Sequence, residues 1–342
     1  MKTSQFSFDL PESLIAQSPP ADREAARLLV LDRSSGAVTH SSVRDLARWI
    51  EPGTVVVIND TRVRKARLFG RRASGALTEL LLLERKGPDL WEAMAGKAGR
   101  LKPGAAFTLP DGVRAVLESG AEETRLLRFT PAIDEAWLER NGHVPLPPYI
   151  KRPDQAADEE RYQTVYARTV GSAAAPTAGL HLTPRLLDEL AARGVQVCRV
   201  TLHVGLGTFQ PIRTDDIEDH RMHEEAYSIS SETAAAVDAA VREGRTVLAV
   251  GTTVVRTLES AWGDDGTRAG LRAREGRTSI YITPGYTFKV VRRMLTNFHT
   301  PGSTLLVLVS AFAGRERILD TYAEAVRLGY RFFSYGDAML IR

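Results

Sequence analysis

Five of the seven histidines, His181, His203, His220, His223 and His299, are the groups in this sequence best suited to proton chemistry. An imidazole titrates near neutrality, so each of them is a candidate general base or acid. His220 and His223, with Glu224 alongside, stand about one helical turn apart, the spacing of two metal ligands. There is, however, no H-E-x-x-H, no cysteine pair and no Asp-rich cluster. The pattern therefore favours histidines that move protons over histidines that hold a metal. Gly205-x-Gly207 and Gly251-Thr252-Thr253 complete neither a dinucleotide fingerprint nor a P-loop, and no G-x-S-x-G is present. These gaps weigh against a dinucleotide enzyme, a P-loop NTPase and a serine hydrolase.

Such residues need elements to place them. Residues 172–183, SAAAPTAGLHLT, run small side chains into a helix start: Thr183 suits the N-cap and Pro184 the first turn, with Leu186, Leu187 and Leu190 as the apolar stripe. Residues 54–58 read as a buried strand running into Asn59, Asp60, Thr61 and Arg62. Residues 195–204 read as a long alternating strand running into the segment 203–209, and 246–250 as a strand opening a helix at Gly251. Residues 43–50 have helical spacing, 279–282 read as a strand, and 262–277 as a loop rich in Gly and Arg. Six segments (59–62, 176–181, 203–209, 251–256, 284–286 and 297–299) fall where a strand or apolar run gives way to a loop. One end of an α/β sheet can gather them into a single pocket with His, Arg, Thr and Asn donors and few buried carboxylates.

The fold expected is a large α/β domain, residues 1–62 and 153–342, with an inserted all-β, barrel-like domain at 63–152. The insert is marked by short strands at 79–84, 90–95, 106–109, 113–118 and 125–129, punctuated by Gly and Pro. It is also the basic part of the chain. Residues 61–152 hold 17 Lys/Arg against 11 Asp/Glu, although the whole chain is only +3. Arg62, Arg64, Lys65, Arg67, Arg71 and Arg72 crowd together before the first acid, Glu79. That stripe suits either a phosphate backbone or a solvated strand edge. The single cysteine excludes an internal disulfide, the N-terminal residues have no apolar signal core, and no apolar run is long enough to span a bilayer. A cytoplasmic enzyme without a membrane partner is the expectation.

The sequence resembles the S-adenosylmethionine:tRNA ribosyltransferase-isomerase family of queuosine biosynthesis. The resemblance rests on FDLPESLIAQ (8–17), VVVINDTRV (55–63), HVPLPPYIKR (143–152), RYQTVYA (161–167), AAAPTAGLHLT (173–183), VTLHVGLGTFQPI (200–212), HRMHEE (220–225), VGTTVVRTLES (250–260), ITPGYTFKVV (282–291), LTNFHTPGSTLLVLVSAFAG (295–314) and YRFFSYGDAMLI (330–341). It implies transfer of the ribosyl part of S-adenosylmethionine to 7-aminomethyl-7-deazaguanine at the tRNA wobble position. The implied products are epoxyqueuosine-tRNA, adenine and methionine. It further implies a cytoplasmic monomer with no cofactor beyond S-adenosylmethionine, itself a co-substrate, and no metal.

On this resemblance the five histidines include the base and the acid. Arg62 and Arg256 would hold the methionine carboxylate or a phosphate. Tyr162, Phe209, Tyr286 and Phe298 are candidates to stack on adenine or on the deazaguanine. The remaining substrate contacts expected are Asn59, Pro176, Thr177, Gly179, Gly205, Thr208, Gly251, Thr252, Thr253 and Asn297. Arg64, Lys65, Arg67, Arg71 and Arg72 would contact tRNA. Three rival readings are an RNA-binding module without turnover, a metal-dependent hydrolase and a methyltransferase.

Overall fold

In the computed structural model, which describes residues 1–342 except 97–100, 121–123, 206–210 and 265–268, short 3-10 turns lead into a hairpin of β1 (Arg27–Leu31) and β2 (Val38–Ser42). Gly36 turns it at φ +78°, while Asp32 Oδ1 accepts from the Ser34 and Ser35 amides. Residues Val43–Trp49 coil as a 3-10 helix that buries Val43, Leu46 and Ala47. β3 (Val55–Asn59) is buried at every position, as an unbroken apolar run in a parallel sheet requires. β4 (Thr61–Val63) then leads away from the sheet.

Six strands follow: β5 (Arg67–Arg71), β6 (Leu77–Arg85), β7 (Leu90–Ala95), β8 (Ala106–Thr108), β9 (Arg114–Gly120) and β10 (Arg125–Thr130). They close into an antiparallel barrel in the order β10-β7-β6-β5-β8-β9. Closure leaves no free edge, and Leu80, Trp91, Phe107, Leu127 and Phe129 fill the interior. Gly70 lets β5 approach: a Cβ there would lie 2.7 Å from the Phe107 Cβ. β5 coincides with the basic stripe, whose charge masked its alternation in the sequence.

The chain returns through α1 (Glu135–Asn141), α2 (Ala156–Arg161) and β11 (Thr169–Ser172), which pairs in parallel with β4. α3 (Pro184–Ala192) starts at Thr183, whose hydroxyl accepts from the Leu186 amide at 3.2 Å. Then come β12 (Gln196–Leu202), β13 (Glu225–Ile229), α4 (Ser231–Arg242), β14 (Val247–Val250), α5 (Thr252–Ala261), β15 (Trp262–Asp264), β16 (Ala269–Leu271), β17 (Arg274–Thr278), β18 (Arg293–Asn297), α6 (Thr304–Ala313), α7 (Arg315–Arg327) and β19 (Ala338–Ile341). The large sheet runs β17-β13-β12-β3-β14-β18-β19-β1-β2. The fold is thus an α/β domain with an inserted β-barrel. β17 occupies part of the segment expected to be loop, and no strand forms at 279–282. Its exposed, charged residues suit the sheet edge where it pairs with β13.

β12, β3, β14 and β18 are parallel. From β3 the chain goes to β12 on one side and later to β14 on the other. The switch point lies between β3 and β14, where such sheets open a crevice at the strand ends.

α5 is pinned to the turn before β18 by Glu259. This buried carboxylate accepts from the amides of Lys289, Val290 and Val291 at 2.8, 3.0 and 2.9 Å, and from the Tyr286 hydroxyl at 3.2 Å. Glu259→Ala strands those amides and should lower stability by about 3 kcal/mol or more in urea unfolding. A loss under about 1 kcal/mol would contradict this role.

Candidate active site

The strand ends are joined through Asn59. Its Oδ1 accepts from the Thr61 amide at 3.1 Å and the Leu202 amide at 3.0 Å. Its Nδ2 donates to the Leu202 carbonyl at 3.0 Å and reaches the Thr253 hydroxyl at 3.4 Å. Both lone pairs and both N–H groups of the amide are used, so Asn59 splices β3, β12 and α5. Next to it, the Thr61 hydroxyl lies 2.8 Å from His203 Nδ1. The imidazole packs on the backbone of Gly171, where a Cβ would sit 2.6 Å from His203 Cε1.

His203 lines a cleft of about 490 Å³ between the two domains. One wall is barrel: Leu83, Glu84, Lys86, Glu92 and Met94. The other is α/β: Gly171, Gly205, His223, Glu225 and Arg277, with Arg64 between them. Four glutamates line this cleft, of which only Glu225 is buried, in keeping with the expectation of few buried carboxylates; each has a cation. Lys86 bridges Glu84 and Glu92 at 2.8 and 3.3 Å. Arg277 reaches Glu224 and, across the domain junction, Glu84 at 3.6 Å. Glu225 pairs with Arg256, 5% and 2% exposed, and accepts from the Gly205 amide at 2.9 Å. Arg256 Nε and Nη2 have no hydrogen-bond partner among the described residues. Burial, reinforced by the Arg64 cation, lowers the His203 pKa below its ordinary value, while Asp60 partly opposes the shift. The ring is held neutral, as a base needs.

Of the other expected histidines, only His223 shares this cleft with His203. His223 stands exposed on the cleft wall. His220 sits edge-on to Tyr281 with ring centroids 5.5 Å apart, and burial, then His223, lowers its pKa. His181 and His299 do not line the cleft. His181 Nε2 faces Asn297 Nδ2 at 3.1 Å, and the Thr177 hydroxyl donates to Asn297 Oδ1 at 3.0 Å. His299 Nε2 meets the Thr296 hydroxyl at 2.8 Å.

Other expected contacts are also engaged in packing. Pro176 and Gly179 belong to the 3-10 turn that ends at His181, and a Cβ on Gly179 would lie 2.1 Å from the Tyr166 hydroxyl oxygen. Gly251 starts α5 at φ +92°, and Thr252 and Thr253 follow it, buried. Tyr162 packs against Tyr335, and Phe298 against Tyr322, Tyr330 and Phe332. Tyr286 is edge-on to Phe288. Thr208 and Phe209 lie outside the described residues.

The basic stripe is largely neutralised by acids from elsewhere in the chain. Arg64 pairs with Glu135 at 2.6 Å and lies over the Trp91 ring, Lys65 pairs with Glu159 at 2.9 Å, and Arg67 with Glu79 at 3.0 Å. Arg62 and Arg71 are exposed and Arg72 is half-buried. Sequence reasoning missed Thr61 and Gly171 as partners of His203. The one signal for them was their place beside Asn59 and the small-residue run.

An imidazole at the strand ends of an α/β sheet, facing a barrel across a charged cleft, makes that cleft the candidate active site. The chain belongs to the queuosine biosynthesis protein family, whose model it matches over residues 3–341. It is 52% identical to the S-adenosylmethionine:tRNA ribosyltransferase-isomerase of Geobacter sulfurreducens and 48% identical to that of Treponema denticola, each match spanning 100% of both chains. The crystal structure of S-adenosylmethionine tRNA ribosyltransferase from Thermotoga maritima aligns with a TM-score of 0.58 at 35% identity, covering 99% of this chain and 100% of that one. The protein is accordingly an enzyme of the transferase class. No helix among the described residues is long and apolar enough to cross a membrane.

Burial pushes His181 down to about 4 and His299 down to about 3 from an ordinary 6.5. Unfolding lets both take protons below pH 6.5, so stability should fall as pH drops from there through about 4. Each contributes a slope of about 1.4 kcal/mol per pH unit between roughly pH 6 and 4.5. His299→Gln should remove one such slope from urea-derived stability over that interval. An unchanged slope would mean His299 is already protonated in the fold.

Proposed function

We propose that the protein transfers and isomerises the ribosyl part of S-adenosylmethionine onto the 7-aminomethyl-7-deazaguanine base at the tRNA wobble position, giving epoxyqueuosine-tRNA, adenine and methionine. The observation that supports this best is the two-domain cleft. Its 490 Å³ falls in the range of small-molecule sites, and it sets neutral imidazole beside cations where a nucleoside and an extruded base can meet. A sulfonium acidifies the adjacent ribose 5′ carbon, so a base can remove that proton. Adenine then leaves with help from an acid, and the neutral aminomethyl nitrogen attacks. His203 and His223 line the cleft and are the histidines favoured for these roles. Arg256 does not itself line the cleft; it pairs with Glu225, which does, and so supports the wall rather than reaching the methionine carboxylate.

In this reading S-adenosylmethionine is a co-substrate, no resident cofactor takes part, and the protein works as a cytoplasmic monomer. Residues 63–152 form the tRNA-contacting domain, with exposed Arg71 meeting phosphate and exposed Arg62 beside it at the domain junction. Incubation with labelled S-adenosylmethionine and precursor-bearing tRNA should release adenine and methionine in equal amounts. Methylated RNA, or no turnover, would refute the proposal. Binding of tRNA should also weaken by about tenfold or more between 50 and 200 mM salt; a salt-insensitive affinity would remove the phosphate contacts.

A further inference from the structure

The contacts of one imidazole distinguish its two nitrogens. His203 Nδ1 is 2.8 Å from the Thr61 hydroxyl, whereas Nε2 has no hydrogen-bond partner among the described residues. The ring face is fixed by Gly171, and the ring lines the cleft. Thr61 is fully buried, and its hydroxyl has a second neighbour, the Thr169 carbonyl at 3.5 Å. A carbonyl can only accept. If the hydroxyl proton goes to Thr169, the oxygen lone pairs face His203, and the proton of the neutral ring then sits on Nδ1.

We infer that Thr61 is a positioning residue that keeps His203 protonated on Nδ1, leaving the Nε2 lone pair in the cleft as the general base. This rests on the ribosyl-transfer reading above and names the atoms within it. In the step assigned to Nε2, the C5′–H bond of the sulfonium nucleoside breaks and its proton passes to Nε2. The electron pair stays on C5′ as a carbanion next to the positive sulfur, the two together forming a net-neutral ylide, and the imidazole becomes imidazolium. No oxidant or further reactant enters. Burial and the neighbouring Arg64 cation keep the ring neutral beforehand. The Thr61 amide, anchored to Asn59 Oδ1, holds the hydroxyl in place, so the backbone rather than a mobile side chain sets the alignment.

The test uses the full-length enzyme, S-adenosylmethionine and precursor-bearing tRNA, and reads kcat, KM for S-adenosylmethionine and deuterium uptake at C5′ from heavy water. His203→Gln should cut kcat and exchange about a hundredfold or more. Thr61→Val, which keeps the shape and loses the hydroxyl, should lower kcat and exchange about tenfold or more with KM changed less than about threefold, and Thr61→Ser should restore most of the loss. Circular dichroism and urea midpoints near those of the wild type identify folded variants. The inference is overturned if His203→Gln keeps kcat within about threefold of wild type, or if Thr61→Val matches wild type, or if Ser is no better than Val. Absence of adenine and methionine release by the wild type would instead overturn the ribosyl-transfer reading.

Discussion

The architecture of the site depends on one buried amide. Asn59 ends β3 where the parallel strands stop, and its oxygen binds two amides at once, those of Thr61 and Leu202. Thr61 and His203, far apart in sequence, are thereby neighbours of one anchored group. Its nitrogen extends the tie to β12 and to the start of α5. Every polar atom of the side chain is satisfied inside the protein, which makes the junction rigid and any loss there costly. A residue expected from the sequence to contact substrate is instead one that builds the scaffold of the site.

Charge does the corresponding work around the cleft. The Arg256–Glu225 pair is almost fully buried, and burial of both partners leaves neither tolerable alone. Through Glu225 it also holds the Gly205 amide, so the exit of β12 and the entry of β13 are fixed together. At the open side, Arg277 touches an acid on its own domain and one on the barrel. Exposed pairs of this kind contribute little stability, but they bring the barrel wall up to the sheet. The result is a neutral histidine among compensated charges rather than a field of one sign.

Much of this could be read from the chain. The Thr183 cap, the strand into Asn59, the helix after Gly251 and five barrel strands all have local signals that the fold obeys. What could not be read depends on distant partners. β5 was hidden by its arginines and β17 by a Gly- and Arg-rich setting, because pairing rather than pattern makes them strands. The basic stripe looked unopposed until α1 and α2 supplied Glu135, Glu139 and Glu159. His181 and His299 have the same residue type as His203, and only burial and their hydrogen bonds to Asn297 and Thr296 set them apart.

The most direct measurement is a crystal structure of the protein with S-adenosylmethionine bound. The account places the ribose 5′ carbon about 3–3.5 Å from His203 Nε2, with the Thr61 hydroxyl still on Nδ1. A nucleoside seated instead against His181 or His299, or outside the cleft between barrel and sheet, would contradict it.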